Sequence, residues 1–402
     1  PDAASLDSAV TSALAGRPGT YSVSVVDVAT GETLVDQNGA EAGVPASSLK
    51  LLTGTAALST LGQDARFDTS AVLDGDDVWL VGGGDVMLGA GESDDSVVNG
   101  HAGLGTLAQK TVAALERQGV TGQINVGLDS TLFPGPGLNP DWADDLVTTN
   151  NITEVQTPAM YAGRANADNH SEVVRNPASV ARQTFVTRLQ EAADTKGLDM
   201  TFLLGETRDG ADGTEGASGD TVAKVSSATV MQQLEYMENH SDNYLAETFG
   251  RLVAVESGQT GDIEGATSSV SAAVEELGVD TTGLDMHDTS GLAATNQVSP
   301  STLAQLLAVT QTSANANLRD LAGLLPAAGA SGTLSNRLAG WDTKGLIRAK
   351  TGTLADVISL SGFVTTRDGR LLSFSVMSSH VTGVQDGARA ATDAVAEALL
   401  EG

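Results

Sequence analysis

Pro45-Ala46-Ser47-Ser48-Leu49-Lys50-Leu51-Leu52-Thr53 places a serine three residues ahead of a lysine, at the start of an apolar run. Residues at i and i+3 lie close together on a helix surface. A lysine amine held there and desolvated loses affinity for its proton, so it can take the serine proton and leave an alkoxide-like nucleophile. Leu49, Leu51 and Leu52 suit a buried helix running to about Leu61, where Gly62 ends it, and Pro45-Ala46 suit a tight turn leading in. The unpaired N–H groups at such a helix start also favour developing negative charge. On most helices a Ser/Lys pair is only a surface pair, so the rest of the chain decides its meaning. Ser47 heads the only Ser-x-x-Lys spacing in the sequence.

The two ends of the chain frame this run. Residues 2–15 have helical spacing (Leu6, Val10, Leu14), stopped between Gly16 and Gly19. Tyr21 to Val28 and Thr33 to Gln37 read as a hairpin across Ala29-Thr30-Gly31-Glu32. Near the C-terminus, Leu346 to Lys350, Val357 to Thr365 and Leu371 to Ser379 read as strands. Arg367-Asp368-Gly369-Arg370 turns between the last two, and Ala388 to Leu400 closes as a helix. Two strands at the start and three at the end predict an α/β (α+β) fold with one five-stranded antiparallel sheet flanked by helices. Residues 1–62 and 222–402 are expected to form this discontinuous domain. Residues 63–221 are expected to form an α/β insertion with a smaller lobe, holding strands at Val78 to Val81, Ile124 to Leu128 and Phe202 to Leu204. Helices at Thr106 to Gln118 and Pro177 to Asp194 alternate with them. Gly82-Gly83-Gly84-Asp85 lacks the Lys-Ser/Thr of a phosphate loop and reads as a tight turn.

Composition narrows the function classes. The 402 residues carry 21 Lys+Arg against 51 Asp+Glu, a formal charge of −30. Nucleic acid and anionic membranes both call for cationic surface, so neither is an expected partner. The charge is spread along the chain as a solubilising acidic coat, suited to high salt. With no cysteine there are no disulfides or thiolate metal sites. The five histidines have no metal-ligand spacing, and no cofactor is expected. No apolar run has membrane-spanning length. No signal peptide heads the sequence, which is what a mature, processed exported protein looks like.

Two further motifs carry chemistry. Ser241-Asp242-Asn243 lies between helical runs, and the following one puts Leu245, Phe249, Leu252 and Val253 on one face. A hydroxyl can relay a proton while a carboxamide two residues on holds a peptide group; all three residue types also suit a plain helix N-cap. Lys350-Thr351-Gly352-Thr353 ends a strand. A cation and two hydroxyls there suit a substrate carboxylate, and Gly352 permits close backbone approach. A strand N–H at this point can complete an oxyanion hole.

Ser-x-x-Lys, Ser-Asp-Asn and Lys-Thr-Gly, in this order, resemble the motif set of the penicillin-recognising serine DD-peptidases and β-lactamases. The long interval between Ser47 and Ser241 is similar to that of the low-molecular-mass class C penicillin-binding proteins, the D-alanyl-D-alanine carboxypeptidase/endopeptidase family. Leu80-Val81-Gly82-Gly83-Gly84-Asp85, Asp129-Ser130 with Phe133, Ser290-Gly291-Leu292, and Gly332-Thr333-Leu334 with Arg337 resemble that family's landmarks. The resemblance implies a DD-peptidase-like transpeptidase fold and cleavage of peptidoglycan stem peptides, with β-lactams as covalent inhibitors. It implies that Ser47 attacks, Lys50 is the base, Ser241 relays a proton, Asn243 holds the substrate backbone, and Lys350 supplies positive potential. Thr351, Gly352, Thr353 and Leu354 would line the substrate, with the N–H groups of Ser47 and Thr353 as the oxyanion hole. Trp142-Ala143-Asp144-Asp145 has the spacing of a Trp/Asp pair with which some relatives grip a free diaminopimelyl amine; an acidic loop around a buried Trp would look the same. Ala294 stands where relatives tend to carry Arg.

Two other readings stand beside this one. A β-lactamase-like hydrolase needs a deacylating base, and no Glu after Asn243 has an Asn four residues on. A catalytically weak wall-binding scaffold on the same fold would not need Ser47, Lys50, Ser241, Asn243 and Lys350 intact. A Ser-His-Asp esterase would carry a Gly-x-Ser-x-Gly elbow, and none is present.

Overall fold

A computed structural model of the chain describes residues 2–210, 213–340 and 343–401. From the N-terminus it forms α1 (Ala3–Leu14), β1 (Thr20–Asp27), β2 (Thr33–Gln37), a 3-10 turn (Ala46–Leu49) and α2 (Lys50–Thr60). Next come β3 (Asp68–Asp74), β4 (Asp77–Gly82), α3 (Leu104–Gln118), β5 (Gly122–Asp129), α4 (Pro177–Lys196), β6 (Met200–Arg208) and β7 (Asp220–Ser226). Then follow α5 (Val230–His240), α6 (Asn243–Glu256), α7 (Ile263–Glu275), α8 (Pro300–Thr312), α9 (Ala316–Arg319) and α10 (Leu321–Leu324). The chain closes with β8 (Ile347–Leu354), β9 (Val357–Thr365), β10 (Leu371–Ser379) and α11 (Gln385–Ala398).

The chain divides into two compact units. The first comprises residues 1–63, 234–257 and 266–402. Its sheet has the order β2-β1-β10-β9-β8, antiparallel throughout, with registers running from Thr20↔Ser379 to Asp27↔Leu372 and from Leu371↔Thr365 to Ser379↔Val357. Side chains alternate across a strand, so one face of β10 presents Leu372, Phe374 and Val376. These pack with Val23, Val25, Leu360, Leu6 and Val10 of α1, and Val395 of α11. Ser373 points the other way and donates to Ala304 O of α8 at 2.8 Å. Both faces are thus covered, and the buried runs in β9 and β10 are continuous rather than alternating. On the α8 side, α2 packs against α6, and Leu245, Phe249, Leu252 and Val253 of α6 are all buried.

The second unit comprises residues 64–233 and 258–265. Its sheet has the order β6-β5-β4-β3-β7, with β3 antiparallel to both β4 and β7 and the β4–β5–β6 pairs parallel. Leu107, Val112 and Leu115 of α3 and Phe185 and Leu189 of α4 close its core against Val78, Leu80, Ile124 and Val126.

Three features depart from the sequence reading. Strands β3 and β7 are additional to those expected, because each offers only a few small inward residues. The expected boundary at 221/222 would cut β7, whose pairing with β3 keeps it in the second unit. The glycine run is more than a turn: Gly84 has φ +109°, while a Cβ on Gly82 would strike Pro158 N and one on Gly83 would strike Asp68 O. Among the described residues no helix is long and apolar enough to cross a membrane.

Candidate active site

All the elements that frame the site belong to the first unit. Ser47 sits in the 3-10 turn and Lys50 opens α2, so the expected single helix begins one tight turn late. The cause lies just upstream, where Ala46 takes a left-handed φ of +48°, a conformation a non-glycine residue holds only when its surroundings fix it. Ser359 Oγ donates to Pro45 O at 2.7 Å and lies 2.8 Å from Ser48 Oγ, which ties the turn to β9. A Cβ on Gly291 would collide with Ala46 O, so only glycine lets the 288–292 loop reach this turn.

Lys50 is fully buried and its Nζ has three neighbours. Asn243 Oδ1 lies at 2.7 Å, Ser290 O at 2.6 Å, and Ser47 Oγ at 3.2 Å. The first two groups are acceptors and take two N–H bonds. The third tetrahedral direction faces the Ser47 hydroxyl, and in a neutral amine that direction holds the lone pair. Burial pulls the Lys50 pKa down to about 8, against the opposing pull of Asp288, Glu238, Asp242 and Glu247.

Asp242 caps α6 by accepting from Leu245 N at 2.9 Å. The capping role therefore falls on the middle residue of Ser241-Asp242-Asn243, while the flanking two meet the lysines, Asn243 Oδ1 accepting from Lys50 and Ser241 Oγ from Lys350. Ser241 adopts φ +53°, and its Oγ accepts from Lys350 Nζ at 2.8 Å. Lys350 Nζ also donates to Thr351 O at 2.9 Å. Lys350 is fully buried in β8, and its pKa is lowered by burial and then by Lys50, with Glu238 opposing. The sites expected from three distant motifs thus meet: Ser47–Lys50–Asn243 on one side and Ser241–Lys350 on the other.

β8 is the edge strand of its sheet. A Cβ on Gly352 would collide with Ser359 Oγ and would lie 2.8 Å from Pro45 O and 3.0 Å from Ser47 N. Absence of a side chain there lets the strand lie against the Ser47 amide. Thr351 is half-buried and donates to Thr333 Oγ1 at 2.9 Å, while Thr353 is exposed and Leu354 half-buried. Trp142 and Asp145 belong to the second unit, in a segment of turns where Trp142 is half-buried and Asp145 exposed. The Asp145 carbonyl accepts from Thr149 N at 2.9 Å and from Thr148 Oγ1 at 2.8 Å.

Several groups at the site carry no role in the sequence reading. Ser290 acts through its carbonyl on Lys50. Asp288 holds that loop by accepting from Gly291 N at 2.8 Å, Ala293 N at 2.7 Å and Asn296 Nδ2 at 2.8 Å. Thr289 O accepts from Thr53 Oγ1 at 2.7 Å, and Thr289 N donates to Glu247 Oε1 at 3.1 Å. Glu247 is buried, and burial raises its pKa to about 7, helped by Asp288. Glu238 is buried with its pKa also raised by burial, opposed by Lys350 and Lys50. Both glutamates lie in helical stretches rich in apolar residues (Leu234 and Met237; Leu245 and Phe249), and an acid in such a stretch is the signal that finds them. Among the described residues no three His, Asp or Glu side chains gather as a metal site.

With this geometry in hand, known proteins give a consistent comparison. The model of the D-Ala-D-Ala carboxypeptidase 3 (S13) family matches residues 3–168 and 161–399. The chain is 33% identical over 386 residues to carboxypeptidase DacB of Mycolicibacterium smegmatis, covering 93% of this chain and 79% of the relative. Penicillin binding protein 4 (dacB) from Haemophilus influenzae superposes with a TM-score of 0.80 at 19% identity, over 98% of this chain and 99% of that one. The same protein complexed with a β-lactam gives a TM-score of 0.70 at 20% identity, over 98% of both chains. At that identity these two solved structures speak to the fold, a penicillin-recognising DD-peptidase fold carrying a large α/β insertion. By the reach of the family model and the identity to its relatives, this chain belongs to the D-Ala-D-Ala carboxypeptidase 3 (S13) family.

Proposed function

We propose that the protein is a serine D-Ala-D-Ala carboxypeptidase, also able to act as an endopeptidase, that cleaves peptidoglycan stem peptides through an acyl-enzyme on Ser47. The observation that carries this is the Lys50 amine, buried, tied by two acceptors, and facing Ser47 Oγ at 3.2 Å. The Ser47 hydroxyl proton passes to Lys50 as Oγ bonds to the carbonyl carbon of the penultimate D-Ala. Negative charge on the carbonyl oxygen meets the N–H groups of Ser47 and Thr353, which the Gly352 contact supports. As the C–N bond breaks, the departing amine takes up the proton that Lys50 accepted, relayed through Ser241, whose Oγ accepts from Lys350. Water then hydrolyses the ester and restores the Ser47 proton. Thr351 and Thr353, with Lys350, receive the terminal carboxylate; Asn243 holds the peptide backbone.

A β-lactam carries the same carboxylate and an amide carbonyl whose leaving group stays attached, so it acylates Ser47 covalently. Trp142 and Asp145 are proposed to grip a free amine on the peptide side chain. A substrate of this kind places the protein outside the cytoplasm, in the periplasm, cell wall or medium. The test is labelling by a fluorescent penicillin. The unaltered protein is expected to form a covalent adduct and Ser47→Ala none. An adduct that persists in Ser47→Ala overturns the nucleophile, and no adduct with the unaltered protein favours a wall-binding scaffold. Product analysis on monomeric and cross-linked muropeptides then separates carboxypeptidase from endopeptidase action.

A further inference from the structure

Glu238 is the anomaly of the first unit. It is 0% exposed on the last turn of α5, three residues before Ser241. Neither of its carboxylate oxygens has a hydrogen-bond partner. A bare buried carboxylate is among the most costly groups a protein can hold. A Cβ placed on Gly54 would meet the apolar side chains of Leu321 and Met237 together with Glu238 Oε1. Gly54 sits four residues after Lys50, on the same face of α2. A Cβ at Gly54 would come within 3.2 Å of Glu238 Oε1, so glycine there leaves the room in which the carboxylate sits behind Lys50.

Its charged neighbours are few and specific. From β8 it faces Lys350 and from α2 it faces Lys50, in that order of influence. Lys50 in turn faces Asp288, Asp242 and Glu247 besides Glu238, and Arg251 offsets part of the charge on Glu247. Of the other titratable side chains near this end of α5, Glu235 and His240 are exposed and Tyr236 is half-buried. Two buried amines repel one another when both are charged, and the Lys50 charge lowers the Lys350 pKa. Glu238 is the one acid that acts on Lys350 and one of four that act on Lys50, so it is the acid the two amines share. Glu238 touches both amines electrostatically and hydrogen-bonds to neither.

We propose that Glu238 is a positioning residue: a buried counter-charge that lets Lys50 and Lys350 keep one proton between them, and so sets the pH window in which one is a base while the other is a cation. The idea rests on the acyl-transfer reading above. It adds nothing to the proton balance of that reaction, because the proton leaving Ser47 Oγ still ends on the departing amine. Glu238 decides at which pH the lysine pair can accept it. A hydrogen-bonded glutamate at this place would be fixed to one lysine; an unbonded one is shared, as a pair whose proton must move requires.

The test is the pH profile of acylation by fluorescent penicillin in the full-length protein and in Glu238→Gln. Removing the negative charge lowers the proton affinity of both lysines. Neutral Lys50 becomes available at lower pH, and cationic Lys350 is lost at lower pH. Both limbs of the profile are therefore expected to move toward acid by about one pH unit. Thermal melting is measured beside each profile, so that a loss of stability is told apart from a shift in pH dependence. Glu238→Asp keeps the charge one methylene further back, and its profile should fall between the two. Profiles that coincide in all three proteins overturn the proposal. So does a Glu238→Gln protein that unfolds, or melts lower, while Glu238→Asp keeps the original profile with lower stability, for that is a structural residue. Failure of the unaltered protein to label at all strikes the acyl-enzyme reading instead, so the two outcomes are distinct.

Discussion

Changing pH across the neutral range is the most direct perturbation of the proposed chemistry, because the base is a lysine. An ordinary lysine, with a pKa of 10.5, is neutral in only ~0.03% of molecules at pH 7. Held at about 8 by burial, Lys50 is neutral in ~9% at pH 7, ~1% at pH 6 and ~50% at pH 8. Burial thus raises the supply of base at pH 7 by about 300-fold, equivalent to about 3 kcal/mol. The sign follows directly: only the unprotonated amine can accept the Ser47 proton, so the rate rises with pH up to the pKa and then levels. Lys350 works the other way, since it must be charged to meet a substrate carboxylate, but a bound carboxylate beside it favours the charged form. At saturating penicillin the acid limb should therefore report Lys50. Rapid-mixing measurement of acylation is expected to give about a tenfold rise from pH 6 to pH 7, about fivefold more to pH 8, and little beyond. A rate that is flat from pH 6 to 8 would remove Lys50 as the base. One that keeps climbing to pH 10 would leave Lys50 as base but refute burial as the cause of its activation.

Two further perturbations probe the walls of the site. Gly352→Ala puts a methyl group into Ser359 and within 3.0 Å of Ser47 N. It should cost about 1–3 kcal/mol of stability and slow acylation by pushing β8 from the Ser47 amide, read by thermal melting beside adduct formation; if neither changes, the strand is not held where the structure has it. Asp145→Ala should lower kcat/KM for peptides with a free side-chain amine by about two- to fivefold, the scale of an exposed ion pair, and leave acetylated peptides unaffected. Equal losses on both would take Asp145 out of the proposed grip.

What is legible in the sequence follows where the physics is local. The Tyr21–Val28 and Thr33–Gln37 hairpin, the Leu-, Val- and Phe-rich runs of β9 and β10, and the Ser47 run each declare themselves locally. So do Ser241-Asp242-Asn243 and Lys350-Thr351-Gly352, although the first also suits a plain helix N-cap and gains its meaning from the other two motifs. The silent parts depend on partners far away in sequence. β3 brings Ala71 to the core and β7 brings Ala223 and Val225, too little for a strand pattern to stand out. The left-handed Ala46 that delays α2 is imposed by Gly291 and Ser359, contacts no local propensity encodes. Glu238 and Glu247 lie in plain view within apolar helical stretches, yet their importance comes from Lys50, Lys350 and Asp288, which only the fold delivers.

These buried charges also separate the acidic coat from the chemistry. A net charge of −30 would be expected to hold nearby lysines in their charged form and to repel a carboxylate-bearing substrate. Surface charges, however, fade within about 8 Å at physiological ionic strength. Lys50 and Lys350 are fully buried, and the acids that act on them are Glu238, Asp242, Glu247 and Asp288, each at most 5% exposed. Salt reaches the first set and not the second. The coat can therefore vary with habitat, through solubility and substrate capture, while the proton affinity of the site is fixed by four buried carboxylates. Of those four, Asp242 caps a helix, Asp288 ties a loop and Glu247 binds a backbone amide. Only Glu238 makes no hydrogen bond there and faces both lysines.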